Sequence, residues 1–355
     1  MERRTRSSVD DSASEQVGTR EAPAEPPGTP PAEPSLARAR RLSAQHRDRV
    51  ARYAVLVAFL LTFATFAILR TDTFLNGDNL RDVLVQSSPL AVVALGLTVA
   101  LVMRDFDLSI GAMIGLGGAV AIVAMSKNGI DWRLAVLLAI GAGVAAGAVN
   151  GLLIAYAGAS SFVITLAIGT VLTGIEFSLT GQETVFENVA QGYVDIGQGE
   201  VAGINHQILV AFVVFVLVYL LLEKTEIGRY MRAIGGNPEA AHLAGIPVRR
   251  LRAIGFIVVA VLAAVAGVLV TAQASSSSPN AGLPFLLPAF AAVFLGSASF
   301  RPGQFNVLGT LVGVLFLGVI QNGLTLLELS TAVINIVQGS ILALAVVFSG
   351  LAQRK

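Results

Sequence analysis

Residues 253–272 read AIGFIVVAVLAAVAGVLVTA, a stretch without a single charged side chain. About 20 such residues are enough for a helix to cross the hydrocarbon core of a bilayer. Comparable uncharged runs recur along most of the chain, at 53–69, 83–103, 108–126, 134–175, 201–222, 253–300, 302–327 and 329–353. The sequence therefore predicts an all-α integral membrane protein.

The composition agrees with this fold class and gives the number of helices. Hydrophobic residues make up 54% of the chain and charged residues 13%, which excludes an ordinary soluble domain. The two longest runs each hold a pair of helices, because turn-forming residues interrupt them at Ala157–Ser161 and Gln273–Pro284. The pattern thus predicts about ten transmembrane helices.

The distribution of positive charge predicts the orientation. With a cytoplasmic N-terminus and ten helices, every Lys and Arg falls on the cytoplasmic side except Arg70, Arg81, Lys127 and Arg133. This asymmetry follows the positive-inside rule. The connection 181–206 carries acids but no Lys or Arg, as an external loop can. We expect a multi-pass protein with both termini in the cytoplasm.

Residues 1–50 differ from the rest of the chain. They are polar and charged, with prolines concentrated between Pro23 and Pro34, so they cannot bury enough apolar surface to fold. We expect a disordered cytoplasmic tail, followed by a transmembrane domain over 51–355. No apolar core with a cleavage site precedes the first helix, which predicts an uncleaved signal anchor. Residues 38–52 either contact anionic membrane lipid or only orient the first helix.

A basic connection at 223–252 interrupts the apolar pattern and predicts a short cytoplasmic helix. Asn237 is suited to cap backbone N–H groups, Pro238 to the first helical position and Glu239 to the positive end of the helix dipole. Gly245 is suited to end the helix in a left-handed conformation. One or two turns are not stable alone in water, so this helix needs a surface on its own membrane domain or on another subunit.

Several classes of chemistry are not supported by the sequence. There is no cysteine, and the three histidines have no metal-ligand spacing, so we expect no metal and no cofactor. No phosphate-binding lysine loop or hydrolase motif occurs, so we expect neither an enzyme nor a nucleic-acid partner. The energy for transport would come from an ion gradient, from passive flow or from a separate ATPase.

Small residues recur at helical spacing and predict tight packing between helices. Gly143, Gly147 and Gly151 lie every fourth residue, as do Gly111 with Gly115 and Gly309 with Gly313. This spacing allows close backbone approach in membranes and predicts a compact bundle, without indicating what is transported.

Polar groups at membrane depth are candidates for a substrate pathway. In the turn Arg104–Gly111, Asp107 or Ser109 is expected to cap the next helix, and Arg104 to pair with one of the two aspartates. Further uncharged groups serve either as interhelical hydrogen bonds or as contacts to a transported solute. The pathway candidates are Asp107, Ser109, Asn150, Thr165, Gln321 and Asn322.

Four stretches together resemble the permease subunits of bacterial ATP-binding-cassette importers for monosaccharides, of the ribose, xylose and arabinose type within the branched-chain amino acid/sugar permease superfamily. The most specific is Gly228–Gly245, with its Gly-Arg, Gly-Gly-Asn and Ala-Gly pieces in order. The others are Ala94–Thr98 with Phe106–Gly111, Asn150–Leu153 with Ser161–Leu166, and Phe294–Gly296 with Asn306–Thr310 and Gln321–Leu324.

The resemblance implies a coupling helix that fits a groove on a separate ATPase subunit. The residues it assigns to this contact are Gly228, Arg229, Asn237, Pro238, Glu239, Ala240 and Gly245. It also implies a second permease copy, as a homodimer, and an external sugar-binding protein, all at the bacterial inner membrane.

Other functions remain open from the residues alone. An ion-coupled secondary transporter of a small neutral solute should carry a carboxylate near the bilayer centre, and Glu176 is the acid that falls inside a span, near its outer end. An intramembrane enzyme would need two catalytic groups that face each other. Asp105 and Asp107 flank a single residue, and the sequence offers no second group opposite to them. A structural or receptor role is also compatible with the sequence.

Overall fold

The structure, a computed structural model, describes residues 53, 55–300 and 303–353, with the side chains of 348–353 left out. The expectation of a disordered tail at 1–50 falls outside the described residues. The described chain is helical apart from short connections and one small antiparallel hairpin.

The helices follow the uncharged runs of the sequence. They are α1 (Val55–Leu69), α2 (Thr71–Phe74), α3 (Gly77–Val102), α4 (Ile110–Ser126), α5 (Trp132–Gly151), α6 (Ser161–Thr180), α7 (Gln191–Gln198), α8 (His206–Tyr219), α9 (Glu226–Gly236), α10 (Pro238–Leu243), α11 (Val248–Ala274), α12 (Leu283–Ser297), α13 (Val307–Leu326) and α14 (Thr331–Gln353). Single π-helical turns, Leu152–Tyr156 and Leu220–Lys224, extend α5 and α8. The hairpin strands β1 (Glu200–Val201) and β2 (Ile204–Asn205) precede α8.

The all-α membrane class is confirmed, whereas the count of ten spans is not. Within the described residues, six helices are long and apolar enough to cross a membrane: α3, α5 with its π turn, α6, α8 with its π turn, α11 and α13. Shorter apolar helices occupy the other predicted spans, at Val55–Leu69, Ile110–Ser126, Leu283–Ser297 and Thr331–Val347.

The predicted breaks in the two long apolar runs are confirmed. Residues 157–160 separate the end of the α5 extension from α6, and Gly158 there has a positive φ of 74°. Residues 275–282 separate α11 from α12, beginning at Ser275 in the left-handed region. The turn-forming residues within each run were thus sufficient to predict where one helix ends and the next begins.

The centre of the bundle is α11, which packs against α3, α4, α5 and α7. Its closest neighbour is α5, whose glycines face it every fourth residue. A Cβ atom at Gly147 would lie 2.7 Å from the Phe256 carbonyl oxygen, and one at Gly143 would lie 2.9 Å from that of Ala260. The two backbones therefore meet without intervening side chains, as the small-residue spacing predicted.

The connectivity gives the bundle two distinct ends. Because successive long helices run in opposite directions, the turn at 103–109, the connection 157–160 and the pair α9–α10 share one end. The hairpin, α7 and the 275–282 connection lie at the other end, where β1 is tied to α3 by an ion pair between Glu200 and Arg81.

We predict that Gly147→Leu destabilises the protein by about 3 kcal/mol or more, because the new side chain meets the backbone of Phe256 and Ile257 and the helices must separate. Thermal unfolding of the purified full chain, followed by size-exclusion chromatography, measures this. Gly141→Leu on the same helix is the matched control, since nothing lies within 4 Å of a Cβ there. Equal melting temperatures for the two variants would contradict the packing described.

Candidate functional site

The connection at 223–252 folds as two helices, α9 and α10, where the sequence indicated one. Thr225 begins α9 by accepting a hydrogen bond from the backbone N–H of Gly228 at 3.2 Å. Met231 and Ile234, two residues of α9, are fully buried. Arg232 donates to the Leu222 carbonyl at 2.6 Å and pairs with Glu223. These contacts fix α9 to the end of α8.

The caps of α10 are as predicted. Asn237 accepts hydrogen bonds at Oδ1 from the backbone N–H groups of Glu239 and Ala240, both at 3.0 Å. Pro238 occupies the first turn. Gly245 follows the helix with a φ of 83°, a conformation in which a Cβ atom is strained. Local chemistry in the sequence therefore specified where this helix begins and ends.

The surface of α10 is mostly uncovered. Ala241 is buried against the protein, whereas Glu239 and Ala240 are exposed and Leu243 is 83% exposed. Leu243 was missed by the sequence analysis, although its i,i+3 spacing from Ala240 puts both on one face. Arg229, on α9, is exposed and forms an i,i+3 pair with Glu226 at 3.3 Å, which contributes little to stability.

The pair α9–α10 is joined to the bundle at the turn between α3 and α4. Gly235 of α9 meets the carbonyl of Val102 so closely that a Cβ atom would overlap it. Met103, the next residue, fills the space beside Gly255 of α11. The helix pair, the turn and the start of α11 therefore form one packed unit.

An ion pair crosses the same unit. Arg252 of α11 donates from Nε to Asp105 Oδ2 at 2.8 Å, and Asp105 is 2% exposed. The expectation that Arg104 pairs with an aspartate was wrong, because Arg104 is exposed and adopts a φ of 62°. The partner comes from a residue far along the chain, which local sequence cannot indicate.

Four of the six pathway candidates meet at this turn in a buried chain of hydrogen bonds. Asn150 Nδ2 donates to Ser109 Oγ at 3.0 Å, and Ser109 donates through Oγ and backbone N–H to Asp107 Oδ1 at 2.5 and 2.9 Å. Thr165 accepts from the backbone N–H of Leu108 at 3.0 Å. The chain links α4, α5 and α6. Ser109 is the N-cap residue of α4, but its side chain forms no cap hydrogen bond, and Asp107 binds the backbone N–H of Ser109 itself.

Two buried oxygens of this cluster lack a hydrogen-bond partner among the described residues: Asp107 Oδ2 and Asn150 Oδ1. Burial raises the pKa of Asp107 to about 6, while the hydrogen bonds from Ser109 oppose the rise. A protonated Asp107 carboxyl can donate a hydrogen bond, whereas an ionised carboxylate can only accept one. Asp107 is thus a buried acid whose pKa is raised by desolvation.

The other two pathway candidates lie elsewhere, although they are adjacent in sequence. Asn322 is buried and exchanges hydrogen bonds with Asn79 of α3, at 2.8 and 3.2 Å. Gln321 points to a different face of α13, lines a cavity and accepts from Gln338 at 3.2 Å. Asn322 therefore joins two helices, while Gln321 is open to a ligand.

The acid inside a span, Glu176, also has a structural partner. It is 1% exposed and accepts a hydrogen bond from the backbone N–H of Asn280 at 3.0 Å. Its carboxylate rests where a side chain at Gly115 would be. Glu176 therefore holds α6 to α4 and to the 275–282 connection.

A cavity of about 790 Å³ opens at the end of the bundle opposite to α9–α10. Its wall comes from α3, α8, α11, α12, α13 and α14, and none of the wall residues, all within the described chain, is charged. The volume lies within the range of about 300–1,000 Å³ usual for small-molecule sites. Its polar wall residues are Gln86, Ser87, Gln207, Gln273, Gln321, Thr325, Thr331, Asn335 and Gln338.

Among the described residues, no group of three His, Asp or Glu side chains is arranged to hold a metal ion. At the α3–α4 turn, Asp105 pairs with Arg252 and Asp107 accepts hydrogen bonds from Ser109.

The structure is thus a bundle of apolar helices with a packed helix pair at one end and an uncharged cavity at the other. The chain belongs to the family "Branched-chain amino acid transport system / permease component", whose model matches residues 79–346. It is accordingly a transport component of a multi-pass bacterial membrane system and not an enzyme.

Curated relatives support the same class. The Ribose import permease protein RbsC of Escherichia coli K12 is 35% identical over 82% of this chain and 91% of its own length. The L-arabinose ABC transporter permease protein AraH of Azospirillum brasilense is 32% identical over 84% and 87%. The D-allose transport system permease protein AlsC of E. coli K12 is 30% identical over 83% and 90%. The resemblance to monosaccharide importer permeases is thereby confirmed. No solved structure matches the chain significantly.

We predict that the stability of the wild-type protein relative to Asp107→Asn falls as pH rises from about 4 to 7. The folded-state pKa of Asp107, about 6, lies above its ordinary value of 3.8, so the folded protein holds its proton more tightly. The loss should reach on the order of 3 kcal/mol. Thermal unfolding across this pH range measures it.

The matched control is Asp131→Asn, which alters an exposed capping acid that accepts from Arg133. A stability difference between wild type and Asp107→Asn that does not change with pH would show that Asp107 does not titrate in this range.

Proposed function

We propose that the chain is the membrane-spanning subunit of an ATP-binding-cassette importer that translocates a monosaccharide of the pentose or hexose type. An external binding protein delivers the sugar, and a separate ATPase subunit supplies the energy. The observation that carries the proposal is α10, a capped helix whose outer face is uncovered while the adjoining α9 is packed on the α3–α4 turn.

The geometry of α10 suits an ATPase contact. A helix of this length does not persist alone, yet here Asn237 caps it and α9 holds it in place. Glu239, Ala240 and Leu243 then present one acidic and two apolar side chains on a preformed surface. Arg229 lies beside them, and the close packing of Gly228 on α8 and the left-handed Gly245 fix the flanking turns.

A force applied to α10 has a direct route into the bundle. The route runs from α9 through Gly235 to Val102, then through the turn to the ion pair of Asp105 with Arg252. Helices α3, α4 and α11 all end or begin there. Movement of α10 by an ATPase would therefore reach three helices at once, because packed cores transmit displacement rather than absorbing it.

The orientation follows from the partner. ATP is cytoplasmic, so α9–α10 and both termini are assigned to the cytoplasm, in agreement with the distribution of Lys and Arg. All apolar helices, the four shorter ones included, then span the membrane, giving ten crossings. The cavity opens outward toward the binding protein. Exposed apolar side chains on α6 and α8 face lipid or a second permease copy.

The sugar class comes from the relatives, which are named for ribose, L-arabinose and D-allose. An uncharged cavity wall is consistent with neutral solutes. Gln321 is the pathway candidate in that wall, while Asp107, Ser109, Asn150, Thr165 and Asn322 serve the pathway by holding its helices together.

We predict that Glu239→Lys and Ala240→Trp abolish ATP-dependent sugar uptake and co-purification of the ATPase, while membrane insertion stays normal. Each variant changes an exposed α10 side chain that forms no side-chain hydrogen bond or ion pair within the described residues, so the loss would come from the partner surface. Uptake of labelled sugar in the native host, with the chromosomal copy deleted, measures it.

Glu187→Lys makes the same charge reversal on an exposed residue of the opposite end and should transport normally. Wild-type uptake by both α10 variants would overturn the assignment of α10 to an ATPase.

We predict that Glu176→Gln retains at least about half of wild-type uptake. The amide oxygen can still accept from Asn280, and an importer driven by ATP needs no proton or sodium carrier at this position. Complete loss of uptake by a stably inserted Glu176→Gln protein, together with a dependence of wild-type uptake on an ion gradient, would favour the ion-coupled carrier.

A further inference from the structure

We infer that the outward cavity is a binding site for a neutral polyhydroxyl solute within the permease itself, in which Gln86 of α3 and Asn335 of α14 hydrogen-bond to solute hydroxyls. This deepens the proposed function, because it assigns solute recognition to the membrane subunit in addition to any binding protein.

The wall carries an unusual concentration of carboxamides. Gln86, Gln207, Gln273, Gln321, Asn335 and Gln338 all line it. A carboxamide offers an acceptor and two donors side by side, which matches two neighbouring hydroxyls of a sugar. Charged groups would be expensive to keep in such a place, whereas carboxamides recognise a neutral polar solute without that cost.

Two of these carboxamides are free to bind. The side chains of Gln86 and Asn335 are exposed and make no recorded hydrogen bond within the described chain. By contrast, Gln207 is tied to Gln273 and to the Gly197 carbonyl. The free pair comes from two different helices, so a solute that engages both would bridge the cavity.

Further unsatisfied polar groups lie in the same wall. Ser87 Oγ and Gln207 Oε1 are buried without a hydrogen-bond partner among the described residues. Most buried polar atoms in proteins are satisfied, so two such atoms around one cavity point to groups that the structure does not contain. Solute hydroxyls, or water that a solute displaces, would satisfy them after small side-chain rotations.

Two prolines within helices add backbone acceptors. Pro89 of α3 and Pro288 of α12 both line the cavity and have no N–H, so the carbonyls of Val85 and Pro284 lose their usual helical donors. Val85 and Pro284 also belong to the wall. In a membrane such carbonyls need donors from side chains, water or a ligand, and sugar hydroxyls are suitable donors.

The remaining wall suits the apolar faces of a sugar ring. Phe285 lies in the wall between the proline residues of α12, with Leu283 and Leu287 beside it. A pyranose or furanose ring has C–H groups that pack on such surfaces while its hydroxyls point to the carboxamides. No cation in the wall can neutralise a phosphate, so sugar phosphates should be excluded.

The test uses the purified full-length chain in lipid nanodiscs, without ATPase or binding protein. Saturation-transfer difference NMR is recorded with D-ribose, L-arabinose, D-xylose and D-allose, and with D-ribose 5-phosphate as the charged probe. The variants are Gln86→Leu and Asn335→Leu, which break no recorded hydrogen bond. Asn128→Leu, an exposed carboxamide outside the cavity, is the matched control.

We expect at least one neutral sugar to bind the wild type and the Asn128→Leu variant equally. Its dissociation constant should rise at least roughly fivefold in Gln86→Leu and in Asn335→Leu, as expected for the loss of one or two hydrogen bonds. The phosphate should give no signal. Elution of all variants as the same monodisperse peak establishes that they are folded.

Absence of binding by every neutral sugar, or equal binding by wild type and both cavity variants, would overturn the inference. If ATP-driven uptake by the complete importer persists in that case, the proposed function stands without a permease site. If the α10 variants also transport normally, the proposed function fails independently.

Discussion

The bundle depends on direct backbone contact between α5 and α11. In a membrane, helices gain little from hiding apolar side chains from lipid, so dispersion contacts and close approach must hold them together. Gly143, Gly147 and Gly151 allow this approach along the length of α5. Because α11 also contacts α3, α4 and α7, its position determines where the other helices lie.

The two ends of the bundle differ in how their polar side chains are arranged. At the α9–α10 end, side chains bond directly to one another or to backbone: Asp105 to Arg252, Ser109 to Asn150, and Asn237 to the first turn of α10, while Asp107 Oδ2 and Asn150 Oδ1 have no partner among the described residues. At the cavity end, by contrast, carboxamides from several helices surround open space. The direct bonds at the α9–α10 end favour movement of these helices and the α3–α4 turn as one rigid unit. The carboxamides around the cavity favour exchange of hydrogen bonds with a passing solute.

The sequence predicted what depends on local chemistry. The apolar runs, their breaks and the cap of α10 follow from side chains a few residues apart, and all three were confirmed. It could not predict the pairing of Asp105 with Arg252, since Arg104 is nearer in sequence and the true partner is brought in by α11.

In the candidate site, too, the sequence did not indicate which partners the fold brings to each residue. Gln321 and Asn322 look equivalent as neighbouring polar residues, but successive residues on a helix point about 100° apart. One therefore reaches the cavity and the other bonds to Asn79. The cavity itself combines residues of six helices, and only their assembled positions reveal it.

The helix-interior prolines have a mechanical consequence as well as a chemical one. At Pro89 and Pro288 the ladder of main-chain hydrogen bonds is interrupted, and helices bend most readily at such points. Pro89 lies at the middle of α3, Pro288 lies in the outward half of α12, and both line the cavity. Hinge bending at these two prolines would widen or narrow the cavity while the inner half of each helix keeps its shape.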